Sequence, residues 1–338
     1  MEANVHTRPA VKTVPDAVFG KRTGQRLNDA SSIGSKVAAA NQEFYRQVSS
    51  KYDQYETGMS DPVIQRILEE DLDKIGSHFV SLRRPPSCLD CGGGTGNVAL
   101  KMCARGWTVT VVDVSSEMLD LLKEKARIRG YSPTLIRAPI EQFFESSPET
   151  FDFVAFSAVL HHLYSYTSVV QQAVSRVCSG GIFYSNNDPV VPKLPTLTWA
   201  FDSLDIAFGK LIYNSEDVLP GIRRRLRKLF SPRDPSVGRR VVSPGDIAEY
   251  HARTGVSDEE IIRLLQKNEF EIVERQRYTT GRTTPIRVLN KRLRLLESFK
   301  IIARRASCQN ESDPGGIAKV KDSPPMTKIT NILPPRVW

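Results

Sequence analysis

The chain predicts an α/β fold built on a seven-stranded, mostly parallel sheet with helices on both faces, and three observations predict it. From Ser87 to Asp188, short apolar runs alternate with amphipathic segments, the pattern of parallel strands joined by crossover helices. The turn Gly92-Gly93-Gly94-Thr95-Gly96 joins the first run to the helical segment behind it. An acidic residue, Asp113, closes the second run.

In order along the chain, residues 1–40 mix Pro, Gly, Ser and charge without a sustained apolar period and read as a flexible leader. Phe44, Val48 and Tyr52 then recur at four-residue spacing, so a helix is expected from near Asn41. Asp61-Pro62 opens a second helix, with Ile64, Ile67, Leu68 and Leu72 as its apolar stripe. Strands are expected at Cys88–Cys91, Val109–Asp113, Thr134–Arg137, Phe151–Ser157 and Gly181–Ser185. Between the second and third of these, Ser116 to about Arg129 reads as a helix with Met118, Leu121 and Leu122 inward and Gly130 as its stop.

After Asp188-Pro189 the strand rhythm stops, and about 190–250 reads as a largely helical insertion following the fifth strand. A helix at Asp258–Lys267 and strands at Phe270–Arg277 and Ser298–Arg304 complete the fold, which therefore spans 41–305. The Pro-rich residues 306–338 read as a disordered tail.

Among 338 residues, 40% are apolar, enough for a sizeable core. No apolar run is long enough to span a bilayer and no secretory signal stands at the start, so a cytoplasmic protein is expected, with the basic leader leaving a mitochondrial address open. Five cysteines suit a reducing compartment, and Cys88-Leu89-Asp90-Cys91 reads as strand rather than as a redox pair. No metal-ligand spacing and no nucleophile motif is present. The whole of the +9 net charge lies behind residue 188.

The glycine turn is the decisive segment. Glycines there let backbone approach a ligand, and the helix behind them offers free N–H groups, so a nucleotide-like ligand is expected with Asp113 on its ribose hydroxyls. A dehydrogenase fingerprint, Gly-x-Gly-x-x-Gly, fits poorly: counted from Gly92 it fails at Asn97. Asp90, just before the glycines, would repel a pyrophosphate and suits a cationic ligand.

Leu89-Asp90-Cys91-Gly92-Gly93-Gly94-Thr95-Gly96-Asn97 resembles the first motif of class I S-adenosylmethionine-dependent methyltransferases, and Val112 to Leu119 resembles the segment that follows it. Phe151 to Leu163 and Gly180 to Ser185 are similar to the fourth- and fifth-strand motifs, most nearly in the branch of ubiquinone and menaquinone biosynthesis enzymes. The resemblance implies a Rossmann-like domain with S-adenosylmethionine as cofactor. Asp90 and the backbone of Gly92, Gly93 and Gly94 would hold its methionine part, Asp113 its ribose, and Val114 and Met118 its adenine. Ile140, Ser157 and Tyr52 join the implied cofactor set. Pro139 stands where many relatives carry an aspartate for the adenine amino group.

Methyl transfer needs positioning and exclusion of water more than a strong acid. An oxygen acceptor would still use a base, for which His161, His162 and His251 are the candidates, although each also reads as an ordinary packing or loop residue. The acceptor ranked first is an oxygen, carbon or nitrogen of a small or lipid-like molecule, with RNA second on account of Arg223–Lys228, Arg239 and Arg240. A cofactor-binding scaffold without turnover is the reading from another class. Ile286, Leu289, Leu293 and Leu296 form one face beside Arg287, Lys291 and Arg294, a pattern that suits either peripheral membrane contact or a helix packed on its own domain.

Overall fold

The computed structural model describes residues 11–13, 25–49, 61–213, 223, 227–228, 230–241, 243–281 and 283–307. The chain divides after Ser307, and the unit Cys308–Trp338 lies outside the described residues, as do Tyr52 and, in the cluster Arg223–Lys228, Arg224 and Arg225.

Five parallel strands carry the first half of the fold: β2 (Ser87–Cys91), β3 (Thr108–Asp113), β4 (Thr134–Arg137), β5 (Phe151–Ser157) and β6 (Val177–Pro189). β9 (Phe270–Thr279) and β10 (Glu297–Arg305) follow, with β10 antiparallel to both β6 and β9. All seven expected strands are present. An eighth, β1 (Val11–Thr13), pairs parallel with β4, so the order is β1-β4-β3-β2-β5-β6-β10-β9. The chain order reverses between β2 and β5, where such sheets bind ligands at the carboxyl ends of their strands.

Side chains alternate across the sheet, apart from irregularities near Phe151 in β5 and in the pairing of β10. Leu89, Cys91, Val154, Phe156 and Phe183 face one side, packed on α5 (Ile140–Ser146), α6 (Tyr166–Val174) and α9 (Asp258–Lys267). Cys88, Val111, Phe153, Ala155 and Tyr184 face the other, against α2 (Pro62–Ser77), α3 (Asn97–Ala104) and α4 (Ser116–Ile128). Side-chain caps start three of these helices: Asp61 accepts from the Val63 N–H, Ser115 from Met118 and Ser257 from Glu260. Both Cys88 and Cys91 are buried free thiols in β2.

The expected leader is the main correction. The helix α1 runs from Gln25 to Val48, so the part of 1–40 expected to be flexible includes both β1 and sixteen helical residues. Its apolar residues Val37 and Ala40 are buried by tertiary contact, which a scan for local periodicity underrates. The insertion is also only partly helical. It holds α7 (Pro195–Tyr213), then an antiparallel pair, β7 (Arg233–Asp234) and β8 (Arg239–Arg240), and the short α8 (Pro244–Ala248) with its Ser243–Asp246 capping box. The helix α10 (Thr284–Leu293) lies between β9 and β10.

Candidate functional site

The carboxyl ends of β2, β3, β5 and β6 open into one pocket, and α1 lies over it. Asp90, Gly92, Gly93, Gly94, Asp113, Val114, Met118, Ile140 and Ser157 all line this pocket. Tyr52, lying outside the described residues, is the one expected cofactor contact that cannot be located there.

The glycines divide by what surrounds them. A Cβ on Gly93 would meet Val111 Cγ1 at 2.4 Å and the Asp90 carboxylate at 2.9 Å, so this glycine packs the loop onto the sheet. Gly94 differs, because it has φ +51° and nothing within 4 Å of a Cβ position. A left-handed residue facing open space at a pocket wall is what close approach of a ligand to backbone requires.

Two buried carboxylates flank that wall. Asp113 accepts from the Gly94 N–H through Oδ2 at 2.8 Å and from the Ser115 N–H through Oδ1 at 2.8 Å, which aims both oxygens and fixes the loop to β3. Burial pushes its carboxyl upward, and these N–H groups offset only part of the effect. Asp90, 1% exposed, accepts from the Ala99 N–H at 3.1 Å. Its pKa is pushed up to about 7, chiefly by burial, with the charge of Asp113 acting in the same direction. A buried acid so poised is stabilised as a carboxylate by an incoming cation.

Beyond β4, Ala138, Pro139, Ile140 and Glu141 line the pocket, so Pro139 sits in the wall itself. Beyond β5, Ala158 has φ +56° and donates to the Asn186 carbonyl at 2.8 Å, while Asn187 has φ +64°. Both line the pocket, and two left-handed residues without glycine's freedom mark a rim held by its surroundings.

The three histidines separate by geometry. His162 lines the pocket, yet its Nδ1 lies 3.0 Å from the Ala248 carbonyl and its Nε2 2.7 Å from the Tyr45 hydroxyl. The carbonyl only accepts, so Nδ1 carries the proton and Nε2 accepts from Tyr45. Burial holds this ring far below the ordinary histidine range. Neutral and engaged at both nitrogens, His162 is a clamp and not the expected base. His251 lies outside the pocket lining; its Nε2 and Nδ1 face Tyr164 O and Thr254 Oγ1, each at 3.2 Å, and its N–H donates to the His161 carbonyl. It fastens the end of the insertion to the loop behind β5. His161 has the arrangement of a base: Nδ1 sits 2.7 Å from Asp188 Oδ1, a carboxylate with no exposure, which leaves the lone pair on Nε2. Its ring stacks 3.9 Å from that of His162, beside the pocket and not among its lining residues.

Sequence reasoning missed Asp188 and the part of the pocket's roof before Asn41; the helix from Asn41 on, with Tyr52 in the implied cofactor set, was expected. Gly34, Val37, Ala38, Asn41 and Tyr45 of α1 line the pocket. Their spacing of three and four is one helical face, a signal present in the sequence and masked by the polar residues between. Among the described residues of 190–250 none is in the lining, and the described cover of the site is α1.

Residues 89–185 match a family model described as a methyltransferase domain. Among curated relatives, the tRNA 5-carboxymethoxyuridine methyltransferase of Escherichia coli strain K12 is 32% identical over 120 residues, covering 35% of this chain and 45% of the relative. A ubiquinone biosynthesis O-methyltransferase of Vibrio cholerae is 34% identical over 98 residues, covering 29% and 40%. The chain thus spans less than half the length of the curated relatives it matches. Among solved structures, the N-methyltransferase NodS of Bradyrhizobium japonicum with S-adenosyl-L-homocysteine aligns at TM-score 0.47 and 14% identity, over 79% of this chain and 98% of that one. Magnesium protoporphyrin IX methyltransferase of Synechocystis with bound S-adenosylmethionine aligns at 0.45 and 14%, over 84% and 100%.

Proposed function

We propose that this chain, whose residues 89–185 form a methyltransferase domain of the class I type, is an S-adenosylmethionine-dependent methyltransferase acting on a small or lipid-like molecule. The observation that carries the reading is the pairing of Gly94, open to the pocket, with Asp113, whose carboxylate is aimed beside it by two backbone N–H groups. The cofactor supplies a methyl carbon already activated by positively charged sulfur.

The chain's own residues then divide the work. Asp90 would take an ammonium group, exchanging its proton for a fixed positive charge. Asp113 would accept from ribose hydroxyls. Val114 and Met118 would enclose an adenine from one side and Ile140 from the other, without the acidic contact that Pro139 removes. Tyr45 and Asn41 hold α1 down on the pocket through His162, which excludes water. His161, oriented by Asp188, would withdraw a proton from an acceptor hydroxyl as the oxygen attacks.

The relatives named above act on a tRNA uridine and in ubiquinone biosynthesis. RNA is the second reading, supported by the first of these and by the basic charge behind residue 188. Calorimetric titration with S-adenosylmethionine and, in parallel, NAD tests the cofactor: binding of the first alone is expected, and binding of NAD alone would overturn the reading. Transfer of labelled methyl to a panel of phenols and quinols, and separately to tRNA, then distinguishes the acceptors, and no turnover with any of them would favour a binding scaffold.

A further inference from the structure

The helix α10 leaves much of its apolar side-chain surface in solvent. Its buried residues are Ile286 and Asn290. The Asn290 amide donates to the carbonyls of Thr280 and Leu296, and its Oδ1 accepts from the N–H groups of Leu295 and Leu296 at 2.8 and 2.9 Å. This polar anchor lies beside Ile286 on the buried side, while Val288, Leu289 and Leu293 are 63%, 46% and 50% exposed.

The same holds next door. Asp205 of α7 is buried and accepts from the Thr283 N–H and hydroxyl at the start of α10, which joins the two helices. Leu197, Leu204 and Phe208 fall within about 40° of one another around α7, and they are 52%, 53% and 43% exposed. Leu194, just before α7, is 57% exposed. Apolar side chains left in solvent on two adjoining helices exceed the scatter of single exposed leucines on an ordinary surface.

The exposed charges on α10 are cations, while the carboxylates of α7 are half-buried Asp202 and buried Asp205. The α10 sequence holds Arg287, Lys291 and Arg292 and no carboxylate, and Lys193, Lys291 and Arg292 are exposed. The nearby acids are engaged: Asp205 by Thr283, Asp61 by Arg287 and Glu297 by Arg294. Among the described residues no helix is long and apolar enough to cross a bilayer, so contact would be from one side.

We propose that the α7/α10 face docks on the surface of an anionic lipid bilayer, its leucines and Phe208 entering the acyl boundary and its lysines and arginines meeting lipid phosphates. A second copy of the chain would place these cations against one another, and RNA would leave the leucines without a partner. The inference stands independently of the reaction, since the face lies outside the pocket.

The test is flotation of the full chain, without cofactor, on vesicles of phosphatidylcholine with about one part in four of phosphatidylglycerol, and on phosphatidylcholine alone. Binding to the anionic vesicles is expected, and L289S/L293S and K291E/R292E should each weaken it about tenfold or more while S-adenosylmethionine binding, read by calorimetry, stays as in the parent. Retained cofactor binding shows that a variant has folded; if L289S/L293S loses it, L204S/F208S reads the same face. No flotation of the parent overturns the proposal, as does flotation that both leucine variants retain. So does a dimer in analytical ultracentrifugation that L289S/L293S dissolves, or salt-sensitive RNA binding lost in K291E/R292E without vesicle binding by the parent.

Discussion

The Tyr45 hydroxyl donates to Nε2 of His162 across 2.7 Å, and this contact, bridging 117 positions of sequence, holds α1 over the pocket. Asn41 adds a second tie to the same residue through its carbonyl, at 3.2 Å. Tyr45→Phe removes one hydrogen bond and leaves His162 with an unpaired buried nitrogen. A loss of about 1–2 kcal/mol in cofactor binding or stability is expected, read by calorimetry and thermal denaturation; no change in either would show that α1 is held by packing alone.

Asp113→Ala removes the acceptor of two loop N–H groups as well as the carboxylate facing the pocket. Cofactor affinity should fall by about 1.5–3 kcal/mol. Asp113→Asn keeps an oxygen for one N–H and should recover part of the fold's stability and less of the affinity. Unchanged titration curves would remove Asp113 from the site.

Asp90 makes binding depend on pH. Its folded-state pKa of about 7 lies above the ordinary 3.8, so the folded apo protein holds this proton more tightly than the unfolded chain, and this group's contribution to stability is fully present below about pH 4 and is lost as pH rises towards 7. A cationic ligand requires the carboxylate. Its affinity should therefore strengthen with pH up to about 7, with close to a tenfold change per unit below that point. Asp90→Asn should flatten both dependences, and a variant with the parent's pH profile would assign the titration elsewhere.

Gly94→Ala and Gly93→Ala should fail differently. The first adds a methyl group to open space at a left-handed residue, costing about 1 kcal/mol of stability while obstructing the ligand. The second drives a Cβ into Val111 and the Asp90 carboxylate, so the loop must move off the sheet. Circular dichroism melts and cofactor titration on both variants separate the two effects.

His161→Ala should lower kcat by about a hundredfold or more on an oxygen acceptor with cofactor affinity unchanged, and Asp188→Asn should lower it in the same direction by disturbing the ring's tautomer. His251→Ala should reduce stability before it reduces turnover, because both its ring nitrogens serve the loop and not the pocket. A fully active His161→Ala would leave positioning as the whole of catalysis.

The floor of this pocket was legible because β2, β3 and β5 are largely buried and read as short, mostly apolar runs, with Asp90, Gly92–Gly94 and Asp113 at fixed offsets from their ends. The part of the roof before Asn41 was not. Val37, Ala38, Asn41 and Tyr45 are interleaved with Ser35, Lys36, Gln42 and Glu43, and only contact with the rest of the fold distinguishes their face. Asp188 carries no motif, because its role depends on β6 running on past Ser185 beside the loop of His161. For α10 the sequence left packing and membrane contact open; Ile286 of its apolar face is buried, and Asn290 beside it, with four hydrogen bonds, left no mark on the periodicity.

The clamp on His162 also sets an order of assembly. The glycine loop, Asp90 and Asp113 lie within 88–157, whereas the clamp on His162 needs Tyr45 from one side and the Ala248 carbonyl from the other. During synthesis the glycine loop and both carboxylates can be in place while α1 still lacks its anchor, since the insertion that orients His162 emerges some ninety residues later. A ligand bound under α1 would then act as a lock on the last-formed contacts, slowing unfolding far more than it speeds folding.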